Sequence, residues 1–251
     1  MKISQEKKIE NRQAIIQSAV ELVIEKGLKA ATMRGIARGA GCGDATIYNY
    51  FPTKEAILYA YYEDRFTAAV SDYEGIDGLA EYTLQERLQA FFEVFLDGCL
   101  ADREFLQATF KDIFFSMPPN PKALRPVREC FFGIVNQAFE AAQGNGELEE
   151  QMFGDLLARF FWDYFLGIVA YWLRDDSEQF AATSSLIDKT MGLACAMIKA
   201  GVVSKVYDIC TFLFRNHVLA HLETCKYGID ALENITKVLK EEFNERPDTQ
   251  G

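Results

Sequence analysis

The chain is poor in the residues that enzymes and disulfide-stapled proteins rely on. Its 251 residues include only two histidines, His217 and His221, so the commonest general base is nearly absent. No Gly-rich phosphate loop, nucleophile elbow or H-E-x-x-H pattern occurs, and an enzyme is not the expected reading. The six cysteines, at 42, 99, 130, 195, 210 and 225, form no C-x-x-C pair, which suits a reducing cytoplasm better than a disulfide framework. The opening MKISQEKKIENRQ lacks the apolar core of a leader. The longest uncharged stretches, CFFGIVNQAF (130–139) and YFLGIVAYWL (164–173), fall far short of the ~20 residues that span a bilayer. A soluble cytoplasmic protein without a membrane partner is therefore expected. Six prolines and 17 glycines against 49% hydrophobic residues also exclude disorder and collagen.

Charge is present but uneven. The net charge is −11, yet the first sixty residues hold nine Lys/Arg against six Asp/Glu, so a head of +3 precedes a body of −14. An acidic body repels nucleic acid, whereas a small basic head can still approach a phosphate backbone in a fixed orientation. Alone this is weak evidence, because most charge asymmetries are only solvated surface.

Proline is missing between Pro52 and Pro118 and again between Pro126 and Pro247, which permits long helices. Leu58, Tyr62, Phe66, Ala69 and Tyr73 fall on one helical face within 53–74, and Gly75 and Gly78 end that run. Thr83 and Glu86 form a capping box that opens a helix carrying Leu88, Phe91, Phe92, Phe95 and Cys99. A further helix begins near Asp102 and stops at SMPPNP (116–121), and another covers 123–143 up to GNG (144–146). Residues 148–174 are apolar on more than one face. Asp176 with Gln179 resembles the cap of a helix reaching Ala200, and two more helices are expected near 203–225 and 231–244. The fold class expected is all-α. The boundary is placed at residue 53, giving a head of 1–53 and a helical body of 54–247.

The informative stretch is the head. A helix from about Lys7 to Lys26 ends at Gly27, read as a left-handed cap. Thr32 caps a short helix over 33–38, and after Gly39-Ala40-Gly41 a second one opens at Gly43 or Asp44 and runs through Asn49. Two short helices about a glycine-containing turn make a helix-turn-helix, whose second member enters the major groove. The segment TMRGIARGAGCGDATIYNYFPTKEAIL (32–58) resembles the tetracycline-repressor (TetR) family of bacterial regulators. Thr32, Ile36, Ala37, Ala40, Gly41, Thr46, Ile47, Tyr48, Tyr50, Phe51, Lys54 and Glu55 fit its pattern at fixed offsets. The resemblance covers about a quarter of the chain. It implies a homodimeric regulator, commonly a repressor, that binds double-stranded operator DNA with its head and an effector with its helical body.

Within the head, Ile47 and Phe51 are expected to pack inward, leaving Thr46, Tyr48 and Asn49 outward. Hydroxyls of Thr46 and Tyr48 suit phosphate oxygens, and the Asn49 amide suits an adenine edge. Arg34 is expected to reach a phosphate or a guanine. Lys54 with the free N–H groups of its helix forms an expected anion site. Gly43, Ala45 and Tyr50 complete the candidate DNA surface. Three residues depart from the family pattern: Gly35, Gly43 and Asp44. The Asp44 carboxylate either accepts from a cytosine amino group or merely caps a helix.

In the body, Phe66, Phe95, Phe110, Phe114, Phe131 and Phe165 are the candidate lining of an effector cavity, with Tyr62 and Asp163 as polar anchors. Asp163 has a plainer alternative, an intrahelical pair with Arg159. The cavity suits a hydrophobic effector of lipid or drug size, and the acidic body disfavours anionic ligands. Helices 155–174 and 177–200 are expected to meet their symmetry mates through Trp172, Ile187, Met191 and Ile198. His217, His221 and Cys225 share a helix face, but helix packing is favoured over metal binding there, and no metal or cofactor is assigned. Cys42 offers a redox-switch reading or, more commonly, a small apolar filler. The alternative function is a helical small-molecule binding protein with impaired DNA binding.

Overall fold

The computed structural model describes residues 4–115, 122–149, 154–202 and 205. Among them stand eight α-helices and no strand: α1 (Gln5–Lys26), α2 (Met33–Gly39), α3 (Lys54–Glu74), α4 (Leu84–Gly98), α5 (Arg103–Phe114), α6 (Arg125–Gly144), α7 (Gly154–Trp172) and α8 (Ala181–Lys199). The expected all-α class is found. A first compact unit, Met1–Lys199, contains both the head and the helices that follow. The helices expected over 203–225 and 231–244, with His217, His221 and Cys225, lie outside the described residues apart from Lys205.

Local chemistry sets the helix ends. Ser4, Thr32 and Thr53 each accept a hydrogen bond from a first-turn N–H, at 3.1 to 3.2 Å, opening α1, α2 and α3. The Thr83–Glu86 capping box closes in both directions and opens α4. Gly27 ends α1 with φ 80° but ψ 157°, so the expected left-handed cap is an extended backbone with positive φ, which still favours glycine. Gly39 allows α2 to lie close on α1, because a Cβ there would run into Ser18 Oγ. That hydroxyl donates to the Ile36 carbonyl at 2.9 Å and joins the two helices.

The body is built on aromatic contacts. Helix α3 packs on α1 in the head and on α4 and α6 beyond it, while α5 also bears on α1. Phe66, Phe91, Phe92, Phe95, Phe131 and Phe165 are each 2% exposed or less. Phe165 approaches Phe66, Phe92, Phe95 and Phe131 with centroids 5.0 to 5.5 Å apart. These are favourable tilted and edge-to-face arrangements. Tyr62 adds a buried hydrogen bond. Thr109 donates to the Phe105 carbonyl, so its oxygen accepts from the Tyr62 hydroxyl at 2.8 Å.

The link between α7 and α8 departs from expectation. Asp175, not Asp176, organises it, and Gln179 lies within a 3₁₀ turn, Glu178–Phe180. The Asp175 carboxylate accepts from the hydroxyl and N–H of Ser177 (2.6 and 2.9 Å) and of Thr183 (2.5 and 2.8 Å). The sequence signal for Asp176 was its three-residue spacing to Gln179, whereas Asp175 reaches a partner eight residues on. Hydrogen bonds from the Ser177 and then the Thr183 hydroxyl hold its pKa well below the usual carboxylate range. A carboxylate depressed in the folded state contributes stability above its unfolded pKa, about 4, and loses it as pH falls toward the folded value. Asp175→Asn is therefore expected to lower stability at pH 7 and to flatten its decline below about pH 4. Urea titrations at pH 7 and pH 3 measure both; parallel losses in the two proteins would count against this assignment.

Candidate nucleic-acid interface and ligand site

The segment after α2 begins with Gly41, at φ 66°, and leads to a turn held by backbone bonds from Thr46 and Ile47 to the Gly43 carbonyl. A 3₁₀ turn, Ile47–Asn49, follows, so the second helix expected over 43–49 is tighter and less regular than an α-helix. Its inward residues are as expected: Ile47 is 0% and Phe51 6% exposed. Tyr48 and Asn49 face solvent, while Thr46 and Tyr50 are half-buried. Thr46, Asn49 and Tyr50 line a cleft of about 490 Å³ with Gln5, Lys8 and Arg12 from α1.

Supports behind this surface were not legible in the sequence. Arg12 donates to both oxygens of Asp64 at 2.7 and 2.9 Å, fastening α1 to α3, and its guanidinium lies 5.9 Å from the Phe51 ring centroid. The Asp64 hydrogen bond raises the Arg12 pKa further. Asn11 donates to the Tyr50 hydroxyl at 3.1 Å, leaving that side chain tied to α1. Lys8 and Arg12 belong to a first helix whose reading drew on its length and cap, so neither carried a recognisable signal.

Two candidate contacts are already engaged. The Arg34 Nε lies 2.9 Å from Asp44, in an exposed pair that joins α2 to the turn before Ile47. Asp44 thus neither stands alone nor merely caps a helix in the free protein. The Lys54 ammonium donates to the Leu28 carbonyl at 2.6 Å, so one of its three donors secures the loop after α1, and the anion site read there is partly spent. Gly43 and Ala45 are exposed, and Thr32 is occupied with capping α2. The Cys42 thiol is half-buried, and burial pushes its pKa up, which favours a filler over a redox switch. Asp44→Asn is expected to free Arg34 and strengthen binding to random-sequence duplex by several-fold, with a steeper salt dependence. Titrations at two ionic strengths test this, and unchanged affinity at low salt would exclude it.

In the body, the candidate lining divides. Phe66, Phe95, Phe131 and Phe165 fill the interior by touching one another, and Tyr62 is satisfied by Thr109. Asp163 is exposed on α7, so it does not enter that interior, and no ion pair joins it to Arg159 among the described residues. The apolar run around Asp163 hides in the sequence which face of α7 turns outward. Phe110 lines a cleft of about 440 Å³ between α5 and α7, where Phe114 lies behind it at 4.8 Å. Lys111 and Arg174 also border this cleft, so the acidic body is locally basic there, contrary to expectation.

The apolar residues assigned to dimerisation are also relocated. Trp172, Ile187, Met191 and Ile198 are 2% exposed or less and belong to the chain's own core. The residues that α7 and α8 expose are Leu156, Phe160, Tyr171, Leu193 and Met197, at 41 to 63%. Helices α7 and α8 do pack together, with the Tyr164 and Thr190 hydroxyls 2.6 Å apart. Among the described residues, no helix is long and apolar enough to cross a membrane.

Known proteins share both parts of the chain. Residues 15–61 match the bacterial regulatory proteins of the tetR family, and residues 87–213 match the tetracyclin repressor-like C-terminal domain. The HTH-type transcriptional regulator YvdT of Bacillus subtilis is 36% identical over 61 residues, covering 24% of this chain and 31% of that protein. The fatty acid metabolism regulator protein of Bacillus subtilis is 23% identical over 164 residues, 65% of this chain and 84% of its own length. Thermus thermophilus FadR, a repressor crystallised with lauroyl-CoA, superposes with a TM-score of 0.56 at 21% identity, over 72% of this chain and 92% of that one. With a helix-turn-helix head and a C-terminal domain that matches over half of its length, this chain belongs to the tetR family of bacterial transcriptional regulators.

Proposed function

We propose that the chain is a repressor that holds double-stranded operator DNA as a homodimer and is released by a hydrophobic effector carried as an acyl thioester. Residues 1–53 are the DNA-binding head and 54–247 the effector-binding and dimerisation body. It works in the cytoplasm by binding alone, without turnover. The observation that carries the DNA reading is the exposed Tyr48–Asn49 edge on a turn anchored by the fully buried Ile47. Lys8, Thr46 and Tyr50 flank that edge, supplying the positioning contacts that a base-reading residue needs. Dimerisation is supported by the exposed apolar residues of α7 and α8, which an isolated chain would leave in water. The acyl effector rests on the names of two similar proteins, a fatty acid metabolism regulator and a repressor bound to lauroyl-CoA.

The Arg34–Asp44 pair favours a second reading, a helical small-molecule binding protein whose head has lost DNA binding. Selection of bound duplexes from a random library separates the two, and affinity for the selected duplex should fall steeply with salt if phosphates are held. Tyr48→Phe is expected to weaken all duplexes alike, by loss of a phosphate contact. Asn49→Ala is expected to relax preference at one base pair by ~1 to 3 kcal/mol. Equal losses on selected and random duplexes for Asn49→Ala would remove it from base reading, and an empty selection would favour the second function.

A further inference from the structure

The cleft between α5 and α7 combines features that the filled interior lacks. Its volume, about 440 Å³, lies within the roughly 300–1,000 Å³ of small-molecule sites. Phe110, Phe115 and Leu173 give it apolar walls, and Lys111 and Arg174 stand on the same rim. Both cations are exposed, and neither has an acidic partner within salt-bridge distance among the described residues. The carbonyls at the end of α7, which would repel an anion, are already covered. Arg103 donates to those of Trp172 and Asp175, and Gln107 to that of Leu173. Behind Phe110, a line of rings leads inward through Phe114 to Tyr62 and Trp162, with centroids 4.8 to 6.1 Å apart.

We infer that this cleft is an effector site and takes an anionic amphiphile: Lys111 and Arg174 hold a phosphate-bearing headgroup while the apolar chain lies along Phe110, Phe115 and Leu173. Two cations without an acidic partner among the described residues, beside aromatic walls, match a ligand with charge at one end and hydrocarbon at the other, whereas a neutral apolar effector would leave the cations without a role. This rests on the acyl-thioester reading above. It reverses the expectation that the acidic body rejects anions, because the local charge at the cleft governs binding more than the net charge does.

The test uses the full chain, titrated with lauroyl-CoA, free coenzyme A and dodecyl phosphate, and a Lys111→Ala/Arg174→Ala variant checked by circular dichroism. Both side chains are exposed, so the variant is expected to fold. The unaltered protein should bind lauroyl-CoA well above free coenzyme A, and the double variant should lose about tenfold or more in affinity. Lys111→Arg should retain it. Unchanged lauroyl-CoA affinity in the double variant overturns the cleft assignment and leaves the acyl-thioester reading standing. Binding of dodecyl phosphate but not lauroyl-CoA, lost in the double variant, keeps the cleft and removes the thioester. Binding of neither overturns both, and free coenzyme A that binds as tightly as its thioester overturns the amphiphile.

Discussion

Phe165→Ala is expected to cost about 3 to 5 kcal/mol of folding free energy, the range for removing a large aromatic side chain from a packed core. Phe165 is 1% exposed and faces the rings of Phe66, Phe91, Phe92, Phe95, Phe131 and Trp162, which come from four different helices counting its own. No one neighbour can move into the vacated space without losing its own contacts, so relaxation is limited and the cavity term stays large. Urea denaturation followed by circular dichroism measures the loss. Asp163→Ala, on the exposed face two residues earlier, should stay within about 0.5 kcal/mol of the parent. The pair of variants also separates core from ligand site. If Phe165→Ala costs under about 1 kcal/mol while lauroyl-CoA affinity collapses, the ring lines effector space in solution and the interior opens more readily than its contacts imply.

The sequence announced helices better than faces. Capping signals act over three or four residues, so Thr32 and the Thr83–Glu86 box read correctly from spacing alone, whereas the Thr53 cap went unread. The head was equally legible, because the inward pair Ile47 and Phe51 and the outward pair Tyr48 and Asn49 are fixed by one local turn. Contacts between distant residues were not legible. Arg12 meets Asp64 across fifty-two positions, and Gln107 meets Leu173 across sixty-six. Nothing in either neighbourhood marks the partner. The apolar run of α7 failed for a different reason. Its periodicity shows that several faces are hydrophobic, but only tertiary packing chose Trp172 for the core and left Phe160 and Tyr171 outside. Likewise, a net charge of −14 for the body says nothing about Lys111 and Arg174 sharing one cleft.

Saturating lauroyl-CoA is expected to lower affinity for the selected operator by about 100-fold, and saturating operator to lower affinity for lauroyl-CoA by the same factor. The second half follows from the first, because coupling between two equilibria is reciprocal. The structural reason to expect a large factor is the place of α5. One side of it borders the cleft through Gln107, Phe110 and Lys111, and the helix also packs directly on α1 of the head. A ligand bound between α5 and α7 therefore touches the helix that packs on the head. It releases DNA only by binding a DNA-incompetent arrangement better than the DNA-competent one, since equal affinity shifts nothing. Arg103 holds the two helices together from outside the cleft, bonding the Trp172 and Asp175 carbonyls at 2.9 Å while its guanidinium lies 5.0 to 5.5 Å from the Phe180 and Trp172 ring centroids. Arg103→Lys keeps the charge but loses the planar two-carbonyl grip, so α5 and α7 should move less as a unit. The expected result is a coupling factor reduced several-fold, with each ligand's affinity for the otherwise free protein little changed. Operator titrations with and without lauroyl-CoA, in parent and variant, give all four affinities. A full factor in Arg103→Lys would route the coupling elsewhere than the α5–α7 clasp, and operator affinity unmoved by bound lauroyl-CoA in the parent would refute the coupling itself.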